Sequence, residues 1–236
     1  MKYFKFTQIS ADTGISWAIA QPVSGPSMPS LPGLNNVIQL NYNNLYYIGE
    51  VSDDATPNPA NFCFEITAEQ RAQELKTMID WEIQKRLERI YPEEKEFRQS
   101  VFSKYGESAT IAGIYKYQEA KQLIADAQAA APSVRQEATV RGLDPVVLAN
   151  RIVTNHEAFQ SKEAKIAGIR GKIQDRLNNF VFDLNNADAS YNEFFTREKI
   201  GTVTRNEMEN GTMVEKEVDV MVGKYELAFG ERLFYA

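Results

Sequence analysis

The chain has 236 residues, of which 43% are hydrophobic and 25% charged, as in an ordinary soluble globular protein. Its net charge of −6 and isoelectric point near 5.1 disfavour non-specific binding to nucleic acid or to an anionic membrane, because both need a positive field. Cys63 is the only cysteine, so no intramolecular disulfide can form. His156 is the only histidine, so a metal site with two histidine ligands is excluded. No stretch reaches the roughly 18 apolar residues of a membrane span. The opening residues lack a signal-peptide pattern, so we expect a soluble protein made in the cytoplasm of the producing cell.

Residues 1–66 are predicted to form a small β module. Proline and glycine punctuate the segment, and the proline-rich stretch 22–36 predicts a surface loop or an extended arm. An apolar face formed by Phe4, Phe6, Trp17 and Ile48 needs a partner surface. The predicted strands are 3–9, 15–20, 37–43, 45–51 and 62–66.

Residues 67–186 are predicted to be helical. Thr67 and Gln70 match a capping box that opens the first helix, and Pro92 predicts a break or kink in it. A further helix is predicted over 110–131, and Ser133 to Gln136 match a second capping box, for a short helix that Gly142 closes. In the 110–131 helix we expect five large apolar side chains to point inward: Ile111, Ile114, Tyr115, Leu123 and Ile124.

The longest predicted helix covers 144–182, with Asp144 as its cap and Pro145 in its first turn. Its apolar residues recur every seven positions on one face, so the helix should pack against another helix. Polar residues at companion positions disfavour a pure two-stranded coiled coil and favour an antiparallel helical hairpin or bundle. The predicted packing residues are Leu148, Ile152, Phe159, Ile166, Ile169, Ile173, Leu177 and Phe180.

Residues 187–236 are predicted to form a second β module. Asn210-Gly211 is a strong hairpin signal between 199–205 and 213–222, and two short final strands are predicted at 224–229 and 232–235. The order β, α, β, without alternating βαβ units, predicts an α+β protein with three segments: 1–66, 67–186 and 187–236.

No catalytic motif is present in the sequence, so we expect neither an enzyme nor a cofactor. His156-Glu157 begins like a zinc-protease motif, but Gln160 stands where the second histidine belongs, so His156 is predicted to be structural. Cys63, between two phenylalanines, is predicted to be a packing residue. Four aromatic residues are candidates for partner binding, by stacking on a sugar or on a protein: Trp17, Tyr42, Tyr46 and Tyr47. The alternative, that half of them close the small core, stays open.

Two groups of residues resemble bacteriophage tail proteins. The opening MKYFKF and ISWAIA, with Tyr47 to Val51, Asn58 to Asn61 and Phe64 to Glu69, is similar to small N-terminal modules of tail-fibre and fibre-assembly proteins. The middle, with Gln118-Glu119-Ala120, Gly142 to Pro145, Ala149, Ile152 and Ile169 to Ile173, resembles a helical module of tail-associated proteins. The last 50 residues carry no such resemblance and lack the Trp-rich end of fibre-assembly chaperones.

The resemblance implies a non-enzymatic structural component of a phage tail, in the baseplate or at the fibre attachment. Its partners would be other tail proteins and copies of itself, and it would neither bind nucleic acid nor insert into a membrane. It would be made in the host cytoplasm and located in the virion tail. A tail-fibre assembly chaperone is the first alternative. A carbohydrate-binding module for host recognition, which rests on the tyrosines, is the second.

Overall fold

The computed structural model describes residues 2–7, 35–43, 46–51, 64–103, 110–209 and 212–235. These residues form an α+β fold as predicted, with a small N-terminal antiparallel sheet, long helices in the middle and a C-terminal β-hairpin. The strands are β1 (Lys2–Thr7), β2 (Asn35–Gln39), β3 (Tyr46–Val51), β4 (Phe64–Ile66), β5 (Arg197–Glu209) and β6 (Thr212–Gly223). The helices are α1 (Ala68–Phe102), α2 (Ile111–Ala125), α3 (Pro132–Arg141), α4 (Pro145–Asn178), α5 (Ala187–Phe194) and α6 (Phe229–Tyr235).

The chain divides into two compact units. One comprises Met1–Leu87 with Leu177–Thr196, and the other comprises Glu88–Arg176 with Arg197–Ala236. The units are defined by packing, whereas the predicted segments 1–66, 67–186 and 187–236 are defined by element type. The units therefore neither confirm nor contradict those segments.

The first unit is built on a four-stranded antiparallel sheet in the order β2-β3-β1-β4. Tyr3 and Lys5 of β1 face α1, since Tyr3 lies under the Arg71 guanidinium and Lys5 pairs with Glu74. In the β1–β3 register, Phe4 is opposite Gly49 and Ile48 is opposite Lys5. Phe4 and Ile48 therefore lie on opposite faces of the sheet, and the prediction that they share one apolar face is wrong. The predicted strand 15–20 lies outside the described residues.

The second unit pairs the end of α1 with the middle of α4 in antiparallel orientation. Glu94 accepts hydrogen bonds from Arg98 at 2.8 Å and from Arg170 at 3.3 Å. One turn further along α1, Arg98 pairs with Glu163, and the Phe102 ring meets the Phe159 ring edge-on at 4.7 Å. Helix α1 runs through Pro92 without a break, because the chain remains helical on both sides of that residue. The predicted antiparallel helix packing is thus present in this unit.

Small residues dominate the core that joins α2, α3 and the start of α4. Its buried members are Ala120, Leu123, Ala131, Val134, Ala138, Leu148 and Ala149. Alanine side chains let helix backbones approach closely, so this core stays tight with few large residues.

The C-terminal part of the second unit is a long hairpin closed at its base by α6. The β5–β6 register is continuous from Arg197↔Gly223 to Glu209↔Thr212, with one bulge between Lys199 and Gly201. The two predicted final strands are wrong, because 229–235 is helical and 224–228 is irregular. Arg232 fixes this end by donating to the carbonyls of Glu226 and Gly223 and to the Glu198 carboxylate.

Candidate protein-docking surfaces

The predicted packing residues of α4 lie in the interior or at its margin. Four are fully or almost fully buried: Leu148, Ile166, Ile173 and Leu177. The other four are half-buried: Ile152, Phe159, Ile169 and Phe180. Phe180 lies two residues beyond the last helical residue and contacts the Phe194 ring edge-on at 5.3 Å. These eight residues therefore pack within the chain and do not form an exposed docking surface.

Three of the four aromatic candidates lie at one end of the inner strand β3, with Tyr46 and Tyr47 at its start and Tyr42 in the turn before it, whereas Trp17 lies outside the described residues. Tyr42 donates a hydrogen bond to Glu74, and the Lys5 ammonium stands 4.8 Å from the centre of the Tyr46 ring. Burial, and then the bond to Glu74, raise the pKa of Tyr42 well above its ordinary value. Burial also raises the pKa of Tyr47. All three side chains are half-buried, so their rings are partly committed to contacts within the unit.

A shallow hollow of about 270 Å³ opens beside Tyr42. Six residues line it: Tyr42, Ile66, Gln70, Gln73, Glu74 and Thr77. Half of its lining residues are amides or carboxylates, and among the described residues no tyrosine other than Tyr42 faces it. Tyr42, Tyr46 and Tyr47 therefore do not converge on this cavity.

Helix α2 exposes most of the apolar residues that were predicted to be buried. Ile111 is 73% exposed and Tyr115 is 68% exposed, and Ile114 and Ile124 are also exposed. Among the five predicted inward residues only Leu123 is buried. The inward face of α2 is instead formed by Gly113, Ala120 and Leu123. Ile111, Ile114 and Tyr115 stand at positions i, i+3 and i+4, so they form one continuous apolar face on the first turns of the helix.

A groove of about 630 Å³ runs between α2 and α3 beside this face. Its lining residues are Ala112, Tyr115, Lys116, Ser133, Gln136, Glu137, Val140 and Arg141. Val140 on the α3 side is 83% exposed, the most exposed large apolar residue in the described part of the chain. Glu137 accepts ion pairs at 2.8 Å from both Lys116 and Arg141, so charged groups are held along the groove by their own partners. The groove thus combines two apolar wall residues, Tyr115 and Val140, with a polar lining in which one carboxylate pairs with two cations.

The distal half of the β5–β6 hairpin is a second exposed surface. From Thr202 to Met208 on β5, six of the seven side chains are exposed, and Val203 is half-buried. Met208 and Met213 face each other near the turn, and both are exposed. An isolated two-stranded hairpin is marginally stable in water, so this arm is a candidate docking surface.

Two polar side chains of the second unit make packing or ionic contacts inside it. His156 is buried, and its ring is stacked on Tyr117 with centroids 4.1 Å apart, whereas its structural role stays a prediction. Glu198 lies between Arg176 and Arg232, which donate to it at 2.7 and 2.6 Å. The hydrogen bond from Arg176, followed by that from Arg232, lowers the pKa of Glu198 to about 2. Glu198 therefore stays ionised and holds the hairpin base, α4 and α6 together.

Comparison of the chain with protein-family models, curated proteins and solved structures found no match. Within the described ranges, no helix combines the length and low polarity that crossing a bilayer requires. In the same residues, no group of three or more His, Cys, Asp or Glu side chains is arranged to hold a metal ion. The expectation that the chain is not an enzyme and needs no cofactor stays a prediction.

The α2 face was missed from the sequence because large apolar residues were assigned inward. A signal was available in Gly113, Ala120 and the neighbouring alanines of α3 and α4, which mark a close helix–helix contact. When small residues fill the contact side of a helix, the large ones are left on the other side.

Proposed function

We propose that this chain is a structural component of a bacteriophage tail, at the baseplate or the fibre attachment, and that it works by binding other tail proteins. The resemblance of its N-terminal and helical segments to tail proteins supports the assignment to a phage tail. The exposed apolar face of α2, beside the groove to α3, is the observation that carries the proposal. Large apolar residues that are exposed together on one helix face commonly mark a site of protein binding.

The chemistry of this surface matches a protein interface. Tyr115 and Val140 line the groove together with Lys116, Glu137 and Arg141. Ile111 and Ile114 are exposed beside it, so apolar and ion-paired groups lie next to each other, as in a protein interface. Burial of such residues on binding contributes about 25 cal/mol per Å² of apolar area. Tyrosine in a groove is also a frequent anchor of protein interfaces. The partner we expect is a protein segment with apolar side chains that enter the groove beside Tyr115.

Incorporation into particles tests the proposal. We expect mass spectrometry of purified virions to find the wild-type chain, and Tyr115→Glu to abolish or strongly reduce its incorporation while its helical circular dichroism is unchanged. Gln122→Glu is the matched control, because Gln122 lies two turns further along the same exposed side of α2 and the substitution adds the same charge. Normal incorporation of Tyr115→Glu would contradict the role of the α2 face.

The same measurement separates the two assembly roles. A fibre-assembly chaperone would be present in infected cells and missing from purified virions, whereas a structural component is present in both. The glycan-binding alternative requires binding to a glycan array that is lost in Tyr46→Ala or Tyr47→Ala.

A further inference from the structure

The β5–β6 arm has two open edges. Its strands pair with each other, and no third strand joins them among the described residues. Helix α6 meets β5 near Gly201, where the Tyr235 backbone comes close, and the β5 side chains from Thr204 to Met208 are all exposed. An open strand edge presents unpaired backbone N–H and C=O groups, which is a template for a strand from another chain.

Charge distinguishes the two edges. The exposed stretch of β6 carries Glu215, Glu217 and Asp219 on one face, so two copies joined through β6 would bring like charges together. The exposed stretch of β5, from Thr202 to Met208, carries one basic and one acidic residue, Arg205 and Glu207, on either side of Asn206. Only β5 therefore has an edge that is compatible with a second copy of itself.

Arg205 is poorly placed in the single chain. The register sets it directly opposite Lys216, and like charges in that position destabilise a strand pair. Lys216 lies 3.7 Å from Glu207, and Arg205 has no ion pair with any described residue. A carboxylate supplied from beyond the β5 edge would relieve this repulsion.

We propose that two copies of the chain join through β5, with the strands antiparallel about a twofold axis at Asn206. In that register Arg205 of each copy lies opposite Glu207 of the other, so the pairing makes two equivalent ion pairs. The two hairpins become one four-stranded antiparallel sheet, which removes the open β5 edges and enlarges a sheet that is marginal with two strands. This pairing stands apart from the proposed function, because two copies can join whether or not the chain belongs to a virion.

Charge reversal tests the register with the full-length chain. Sedimentation velocity is expected to show a concentration-dependent dimer for the wild type. In a dimer of Arg205→Glu chains, both intermolecular pairs would be glutamate opposite glutamate. In a dimer of Glu207→Arg chains, both would be arginine opposite arginine. Each variant alone should therefore dimerise at least tenfold more weakly. Arg205→Glu also places a carboxylate opposite Lys216 within its own chain, so it should fold at least as well as the wild type, and a thermal melt checks this.

Mixing the two variants gives the decisive result. The Arg205→Glu chain is acidic at both positions and the Glu207→Arg chain is basic at both, so the two are complementary. Their mixture should form heterodimers that native mass spectrometry distinguishes by mass.

Two further variants complete the test. The double variant Arg205→Glu/Glu207→Arg should regain the wild-type dissociation constant within about threefold. The control Glu217→Arg, on β6, should leave dimerisation within the same range. A monomeric wild type, a dimer that is indifferent to Arg205→Glu, or a mixture without heterodimers would each overturn the proposal.

Discussion

Arg71 of α1 and Asp188 of α5 form a two-pronged ion pair across 117 residues of sequence, with N–O distances of 3.0 and 2.6 Å. Arg71 is only 5% exposed, and its guanidinium also lies 3.4 Å from Glu50 of β3 and over the ring of Tyr3 of β1. One guanidinium thus connects the sheet, α1 and α5 in the first unit. Its planar, delocalised guanidinium suits this position, because lysine could make neither the two parallel hydrogen bonds to Asp188 nor the same stacking over Tyr3.

Removing Arg71 should be among the most destabilising single changes in the first unit. Arg71→Ala leaves the buried Glu50 without this partner, and breaking a buried pair in this way typically costs roughly 3–5 kcal/mol. We expect a loss at the lower end of that range, because Asp188 is largely exposed. Urea unfolding measures it. The control Lys76→Ala removes an exposed pair with Asp80 on the same helix and should cost at most about 1 kcal/mol. An equal loss in both variants would contradict the importance of burial.

The Glu198 clamp should make part of the stability depend on pH. Its pKa falls from an ordinary 4.5 to about 2 in the folded chain, so its contribution is complete above pH 4.5 and is lost as the pH falls towards 2. Glu198→Gln should therefore be less stable than the wild type at pH 7, and the difference should shrink between pH 4.5 and 2. Denaturant midpoints of both proteins across this range measure the effect. A difference that is constant with pH would mean that ionisation of Glu198 contributes nothing.

The interior face of α4 should respond strongly to truncation. Ile166 is fully buried, and Ile166→Ala removes three methyl or methylene groups from a packed core, for a loss of about 2–5 kcal/mol. Phe159→Ala, at a half-buried position, should cost less because part of its ring already contacts solvent. Val140→Ala, at an exposed position, should change the unfolding free energy by less than about 0.5 kcal/mol. The three unfolding curves should rank in that order.

Two glycines near the C-terminus should respond oppositely to alanine. A Cβ at Gly201 would lie 3.0 Å from the Tyr235 carbonyl oxygen and 2.8 Å from its Cβ, so Gly201→Ala should displace the end of α6 and lower the melting temperature. A Cβ at Gly230 would meet nothing within 4 Å, and Gly230 is helical, so Gly230→Ala should be neutral or stabilising by up to about 1 kcal/mol. A stable Gly201→Ala variant would show that α6 is not held against β5 at this point.

Local signals in the sequence located the starts of α1 and α4 and the end of α3. Thr67 and Gln70 form the predicted reciprocal capping box, and the Asp144 carboxylate accepts from the amides of Val146 and Val147. Gly142 closes α3 with a positive φ of 63°. These features depend on residues within one turn of each other, so the sequence contains all the information that they need.

Long-range contacts account for the errors. Residues 224–229 and 232–235 were predicted to be strands, but Arg232 is held by the carbonyls of Gly223 and Glu226 and by Glu198, none of which the local pattern reveals. The end of α2 was placed at Ala131, whereas the helix ends at Ala125. The outward isoleucines of α2 were missed because the identity of the contact face depends on the alanines of two other helices.

The start of α3 shows a further consequence of such contacts. The capping box predicted from Ser133 is wrong, since α3 begins at Pro132 and the amides of Ser133 and Val134 donate to Glu119 of α2, at 2.8 and 3.2 Å. The first amides of α3 thus have their capping partner on α2, and the two helices also share a buried core. Helices α2 and α3 should consequently form and melt as a single cooperative step, so hydrogen exchange should open their amides together with one common free energy.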